Sequence, residues 1–279
     1  MVTRAALVEA ISSAVGEAAV TLRADVRAAL LAALDTEPSE RGRAVLDQLL
    51  ENSDIACADR VPLCQDTGSA WVRLTLGVDQ PLPGDLQAVA DEAVSGAYLA
   101  NGLRMSMVRD ALFDRTNTSD NTPAILTVAL RPGTGAEVDV MLKGGGSDNA
   151  SALAMLPPSA GIDGVRRFVL ETVQAKATGA CPPLLVGVAV GGTFDTVAAL
   201  AKKALLREVG SPAESTWAEG LESALLREIN ATGIGPAGLG GRATALAVHV
   251  VTAPCHIAAL PVAVNLGCCA VRSAHREIA

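Results

Sequence analysis

The run Leu184-Leu185-Val186-Gly187-Val188-Ala189-Val190, closed by Gly191-Gly192, decides the fold class. An unbroken apolar stretch of this length, rich in valine and stopped by glycines, reads as a strand buried on both faces. Around it, helical and strand patterns alternate. Residues 3–34 read as two amphipathic helices divided near Thr21-Leu22-Arg23, and residues 40–52 continue as helix. Residues 70–78 alternate and read as a strand, and Asp85 caps a helix from Leu86 to about Leu99. Strands follow at 124–131 and 137–142, and helices at 162–177, 198–208 and 217–230. Strands at 243–251 and 260–265 complete the pattern. The expected fold is mixed α/β: a mixed sheet with flanking helices and a helical N-terminal segment, as one compact unit over residues 1–279.

Composition narrows the function. Apolar residues make up 50% of the 279 and aromatics only 2%, so the core is built from Ala, Val and Leu. A net charge of −8 without any Lys/Arg-rich run argues against nucleic acid and anionic membrane as partners. It leaves room for an anionic small substrate, which needs only a local Arg or Lys. The N-terminus lacks the pattern of a signal peptide, and the apolar stretch 247–266 is broken by His249, Pro254, His256 and Pro261. The expectation is a soluble, cytoplasmic protein.

Six cysteines stand at positions 57, 64, 181, 255, 268 and 269. In a large chain without a secretory signal they point to a reducing compartment and to ligand roles, not disulfides. No two are separated by two residues, which excludes zinc-finger and bacterial ferredoxin spacing. Any cluster must gather cysteines from distant parts of the fold. Cys64 sits in Val61-Pro62-Leu63-Cys64-Gln65-Asp66-Thr67-Gly68, a soft ligand beside an amide and a carboxylate at a tight turn. Cys181 precedes Pro182-Pro183, and Cys268 follows a strand and Gly267. Each lies at an element end, where side chains converge on sites. Lys143-Gly144-Gly145-Gly146 closes a strand and lets backbone N–H groups approach an anion, or forms a plain flexible turn.

Many stretches, in order, resemble one family. They include 62–68, Leu103-Arg104-Met105-Ser106, 117–123, 143–149, 157–161, 181–183, 191–193, 235–241, and His256 through Cys268. Together they resemble the α subunit, or N-terminal catalytic half, of the iron–sulfur (class I) fumarases and the related tartrate dehydratases. The resemblance implies a [4Fe–4S] cluster on Cys64, Cys181 and Cys268, with a fourth iron free for substrate. It implies a dicarboxylate held by Gln65, Asp66, Arg104 and the backbone at Gly145, and an Asp66–His256 proton relay. Single-chain members carry a further C-terminal domain, whereas this sequence stops eleven residues past Cys268. The resemblance therefore implies a separate β subunit and an α2β2 assembly.

Within the family, residues 103–106, 121–123 and 143–146 fit the fumarase branch, while Gly267 looks more like the tartrate branch. Hydration of fumarate to L-malate is the expected reaction, with L-tartrate or a methylated dicarboxylate as the alternative. Each residue also has a plainer reading. Arg104 can be a surface ion pair, His256 a satisfied core histidine and Lys143 a solvated cation, with Cys57 and Cys255 buried spectators. Cys269 adjoins a proposed ligand and is read as packing. Two other classes compete: an electron carrier or sensor, with Cys255 or Cys269 as a fourth ligand, and a zinc scaffold on three cysteines. Neither accounts for Asp66 beside Cys64.

Overall fold

The structure, a computed structural model, describes residues 1–279. In chain order the helices are α1 (Arg4–Val20), α2 (Ala24–Thr36), α3 (Glu40–Asp59), α4 (Leu86–Ala100), α5 (Gly145–Asn149), α6 (Gly161–Lys176), α7 (Phe194–Ala204) and α8 (Thr216–Ala231). The strands are β1 (Ser69–Gly77), β2 (Ile125–Arg131), β3 (Ala136–Lys143), β4 (Ala152–Leu156), β5 (Leu184–Gly192), β6 (Ala245–Cys255), β7 (Leu260–Gly267) and β8 (Arg272–Ile278). The mixed α/β class predicted from the sequence is what forms, with two four-stranded sheets in place of one. The residues group into two compact units, one of 1–23, 53–145 and 271–279, the other of 24–52 and 146–270.

In the first unit the sheet order is β2-β1-β3-β8. β1 runs parallel to β2 and antiparallel to β3, which is antiparallel to β8. Thr3 and Asp85 start α1 and α4 by accepting N–H bonds from Ala6 and from Gln87 and Ala88. α1 and α4 pack together over one sheet face, where Leu7, Ile11, Val72, Leu74, Val140 and Tyr98 are fully buried. The register pairs Ser69 with Lys143 and Leu142 with Arg272. The start of β1, the end of β3 and the start of β8 therefore share one end of the sheet. That end carries the site.

In the second unit the order is β4-β7-β5-β6, with β5 parallel to β6 and antiparallel to β7. Val197 and Ala201 of α7 pack with Ala189 and Ala263, while α6 and α8 bury Val169, Val173, Leu225 and Ile229 among Val186, Val188 and Val250. Covered by helices on both faces, β5 has the continuous apolar sequence such a position requires. Leu185 of β5 pairs with Gly267 of β7, so Cys181 before β5 and Cys268 after β7 lie at one end of this sheet.

Several elements depart from expectation. α3 runs on to Asp59, and α7 begins at Phe194 because Thr193 and Thr196 form a reciprocal cap there. β6 extends through Pro254 to Cys255. β4 and β8 were not predicted. β8 escapes pattern reading because Arg272 and Arg276 alternate with the apolar Ala274 and Ile278 that meet the core. The segment Arg4–Thr36 has the length and composition to cross a membrane, but it is two helices, half buried, divided at residues 21–23.

Candidate active site

Asp66 is the centre of the first unit's site. Its Oδ1 accepts from the Gly68 N–H at 3.1 Å and from Arg104 Nη2 at 3.2 Å. Its Oδ2 accepts from the Gly145 N–H at 2.8 Å. Three of the four residues expected to hold a dicarboxylate are thus joined in one network. The fourth, Gln65, is exposed and takes the Cys64 thiol through Oε1 at 3.4 Å. Gly68 is dictated by sterics: with φ +80, a Cβ there would stand 2.4 Å from the Lys143 carbonyl oxygen. Arg104 is an ion pair, as its plainer reading held, but a half-exposed one directed at the Asp66 carboxylate. Lys143 is not solvated; it is 4% exposed. The Gly144–Gly146 run is no loose turn either, since Gly145 opens the short helix α5.

Arg272, which sequence reasoning passed over, is 2% exposed, and its Nε and Nη1 have no hydrogen-bond partner. A buried guanidinium with two nitrogens lacking acceptors is costly, so this end of the sheet is electrostatically prepared for negative charge. A Cβ on Gly144 would stand 3.1 Å from Asp66 Oδ2 and 3.4 Å from Arg272 Nη2, so the glycine leaves a gap flanked by both. Tyr98, the only tyrosine, is fully buried, and its hydroxyl reaches the carbonyls of Thr67 and Gly68 at 3.1 and 2.9 Å. Burial pushes that hydroxyl's pKa up, the Arg272 charge opposes the rise and the Asp66 charge adds to it. A lone tyrosine in an aromatic-poor chain was the signal available beforehand.

In the second unit Cys181 adopts a left-handed backbone, φ 54 and ψ 73, unusual for a residue with a side chain. Two bonds hold it: its carbonyl accepts the Cys269 N–H at 3.0 Å, and the Pro182 carbonyl accepts the Ala237 N–H at 2.8 Å. Cys181 and the Cys268–Cys269 pair are therefore neighbours. The glycine-rich loop that supplies Ala237 is pinned by Glu37, 3% exposed, which accepts from the N–H groups of Ser39, Arg242 and Ala243. Burial alone would raise the Glu37 pKa, but these N–H bonds outweigh it and hold the carboxyl below its ordinary range. Nothing in the sequence marks Glu37, because its partners Arg242 and Ala243 are backbone groups some two hundred residues away.

His256 is not brought to this corner. Cys255 pairs with Gly192 at the far end of β5, so the nine residues of β5 separate His256 from Cys181, roughly 30 Å at about 3.3 Å per residue. Nor is it a core histidine: it is exposed, and its Nδ1 accepts the Ala258 N–H at 3.1 Å, which leaves Nε2 to carry the proton. Cys57 and Cys255, expected as buried spectators, are exposed, as is Cys181. Cys64, Cys268 and Cys269 are half-buried.

Within neither unit do three His, Cys, Asp or Glu side chains gather as a metal group; Cys64 belongs to the first, Cys181 and Cys268 to the second. Their chemistry nevertheless fits iron–sulfur ligation, with soft thiolates at element ends and, in the first unit, an orphaned buried cation suited to an anionic group. Two clefts, one lined by Arg131, Glu137 and Glu277 and one by Pro212, Glu222 and His249, contain none of these residues.

Comparison with known proteins gives consistent results. The family model described as fumarate hydratase (fumerase) matches residues 8–277. A protein of Methanocaldococcus jannaschii named putative L(+)-tartrate dehydratase subunit alpha is 40% identical over 269 residues, 94% of each chain. The L(+)-tartrate dehydratase subunits alpha of Escherichia coli and Shigella boydii are 36% identical over 242 residues, 85% of this chain and 79% of theirs.

Proposed function

The chain belongs to the fumarate hydratase family and is a hydro-lyase, and from that premise we propose that it is the α subunit of an L(+)-tartrate dehydratase. The relatives' names favour this alternative over the fumarate-to-malate reaction expected from residues 103–106, 121–123 and 143–146. The observation that carries the reading is the Asp66 network, with carboxylate, guanidinium and backbone N–H presented together at one sheet end.

In this reading Arg104 turns its half-exposed fork onto one carboxylate of a 2-hydroxy dicarboxylate. The backbone at Gly145 and the Gln65 amide orient the same ligand. Asp66 holds or moves the proton of the departing hydroxyl, and Arg272 keeps the local field positive while it does so. His256, which lies at the end of its sheet opposite Cys181, is given no step in this reading. Cys64, Cys181 and Cys268 would hold a [4Fe–4S] cluster, which when bound supplies a Lewis-acidic iron for the hydroxyl oxygen. A β subunit completes the enzyme, in keeping with relatives named as subunits alpha, and an α2β2 assembly follows the same reading.

The test is to replace Asp66 with Asn and Arg104 with Lys in the anaerobically reconstituted α–β enzyme and assay L-tartrate and L-malate. Asp66→Asn is expected to lower kcat by at least about a hundredfold, and Arg104→Lys to raise KM. Wild-type-like kinetics in Asp66→Asn would refute the assignment.

A further inference from the structure

The cluster 117–123 has no part in the roles above, yet it contains the most completely enclosed amide near the site. Asn121 is 0% exposed and sits in the left-handed region at φ 60. Its Oδ1 accepts the Ser106 N–H at 2.7 Å, and its Nδ2 donates to the Gly68 carbonyl at 3.2 Å. The two bonds fix the amide's orientation, because a flipped amide would set donor against donor and acceptor against acceptor. Ser106 is two residues beyond Arg104, and Gly68 is two residues beyond Asp66. A single side chain therefore ties the segment bearing the guanidinium to the turn bearing the carboxylate.

The neighbouring bonds reinforce the tie. The Thr67 hydroxyl donates to the Arg104 carbonyl, and Asn117 Nδ2 donates to the Met105 carbonyl at 2.9 Å. Tyr98 holds the Thr67–Gly68 turn from the core side but has no bond to 104–106. Arg104 and Asp66 meet directly only through an ion pair whose guanidinium is more than half exposed, a contact too weak to set its own geometry. The spacing must come from the buried layer beneath.

We propose that Asn121 is a positioning residue that sets the separation of Arg104 and Asp66, and so fixes where a dicarboxylate binds. The inference rests on the reading of Arg104 as the carboxylate fork. Losing Asn121 leaves Asp66 held by the Gly68 and Gly145 N–H groups, whereas Arg104 loses its alignment. The effect falls on ligand binding and spares the proton step.

A double-mutant cycle on the α–β enzyme tests this. Glycine and aspartate both tolerate the left-handed backbone. Asn121→Gly removes the clamp, and Asn121→Asp keeps only the acceptor for Ser106. KM for the substrate and the calorimetric Kd of the non-reacting dicarboxylate succinate are measured for each. Asn121→Gly is expected to raise both by about tenfold with kcat within about threefold, and Asn121→Asp to do so at least as much, because its second carboxylate oxygen faces the Gly68 carbonyl in a buried site. In an Arg104→Ala background neither variant should weaken binding further, because the residues act as one unit. Leu7→Ala, a core truncation on α1 matched in its loss of thermal stability, should leave Kd near the wild-type value. Effects that multiply with Arg104→Ala, or an equal loss in Leu7→Ala, would overturn the proposal. Failure of the parent enzyme to bind any dicarboxylate would instead overturn the functional reading on which it rests.

Discussion

The Asp66 corner and the Cys181 corner solve the same problem, holding reactive groups at the end of a sheet, by different means. Around Asp66 the work is done by buried side chains: Asn121, Tyr98 and Thr67 reach main-chain groups of the two segments that carry the site. Around Cys181 it is done by main chain, with the Cys269 and Ala237 N–H groups on successive carbonyls and one distant carboxylate, Glu37, pinning the loop. The side-chain version suits groups that must meet a ligand at fixed spacing. The main-chain version suits a thiolate that must be projected outward. Here the strained backbone at Cys181 is the structural signature, worth roughly 1–2 kcal/mol that those two bonds offset.

The comparison is most sharply strained by Gly68→Ala. The new Cβ meets the Lys143 carbonyl in a backbone that already disfavours it, so a loss of more than about 3 kcal/mol is expected. Urea denaturation checks it; a loss under about 1 kcal/mol would mean the Asp66 corner yields more easily than its bonds imply.

Glu37→Gln probes the other corner. A lowered folded pKa means that the Glu37 contribution is present above its ordinary value of 4.5 and is lost as pH falls through the folded value. The variant should lose about 2 kcal/mol at neutral pH and should lack this part of the acid-side decline. Urea midpoints between about pH 3 and pH 7 read both effects; parallel curves for the two proteins would contradict the account.

Arg272→Met gives a smaller effect with the opposite sign. Removing a buried cation with two unpartnered nitrogens is expected to raise the stability of the metal-free chain by about 1 kcal/mol while weakening succinate binding to the enzyme. A thermal melt and a calorimetric titration together decide it. Loss of stability would make Arg272 an ordinary structural residue.

The same contrast explains what the sequence made legible. Cys64, Cys181 and Cys268 stand out through flanking Pro and Gly, and at Cys181 the structure has a left-handed, backbone-held turn. The strand β5 was evident for the same kind of reason: burial on both faces imposes a continuous apolar run. Arg272 was silent, and although 121–123 carried the resemblance and Tyr98 stood out as the lone tyrosine, neither revealed its role, since a buried polar group is recognised by partners tens of residues away. β8 was hidden by arginines on its inward face, and His256, expected in a relay with Asp66, lies at the end of its own sheet opposite Cys181 by the register of β5 and β6.

The central claim is that the Asp66–Arg104 corner serves dehydration of a hydroxy-dicarboxylate. Its most direct test is an anaerobic assay of the reconstituted α–β enzyme with L-tartrate and L-malate side by side, following oxaloacetate and fumarate. Oxaloacetate formed from L-tartrate faster than fumarate from malate, and lost in Asp66→Asn, is the predicted result. Turnover of malate alone would return the chain to the fumarate branch, and an enzyme loaded with cluster yet inert to both acids would contradict the account.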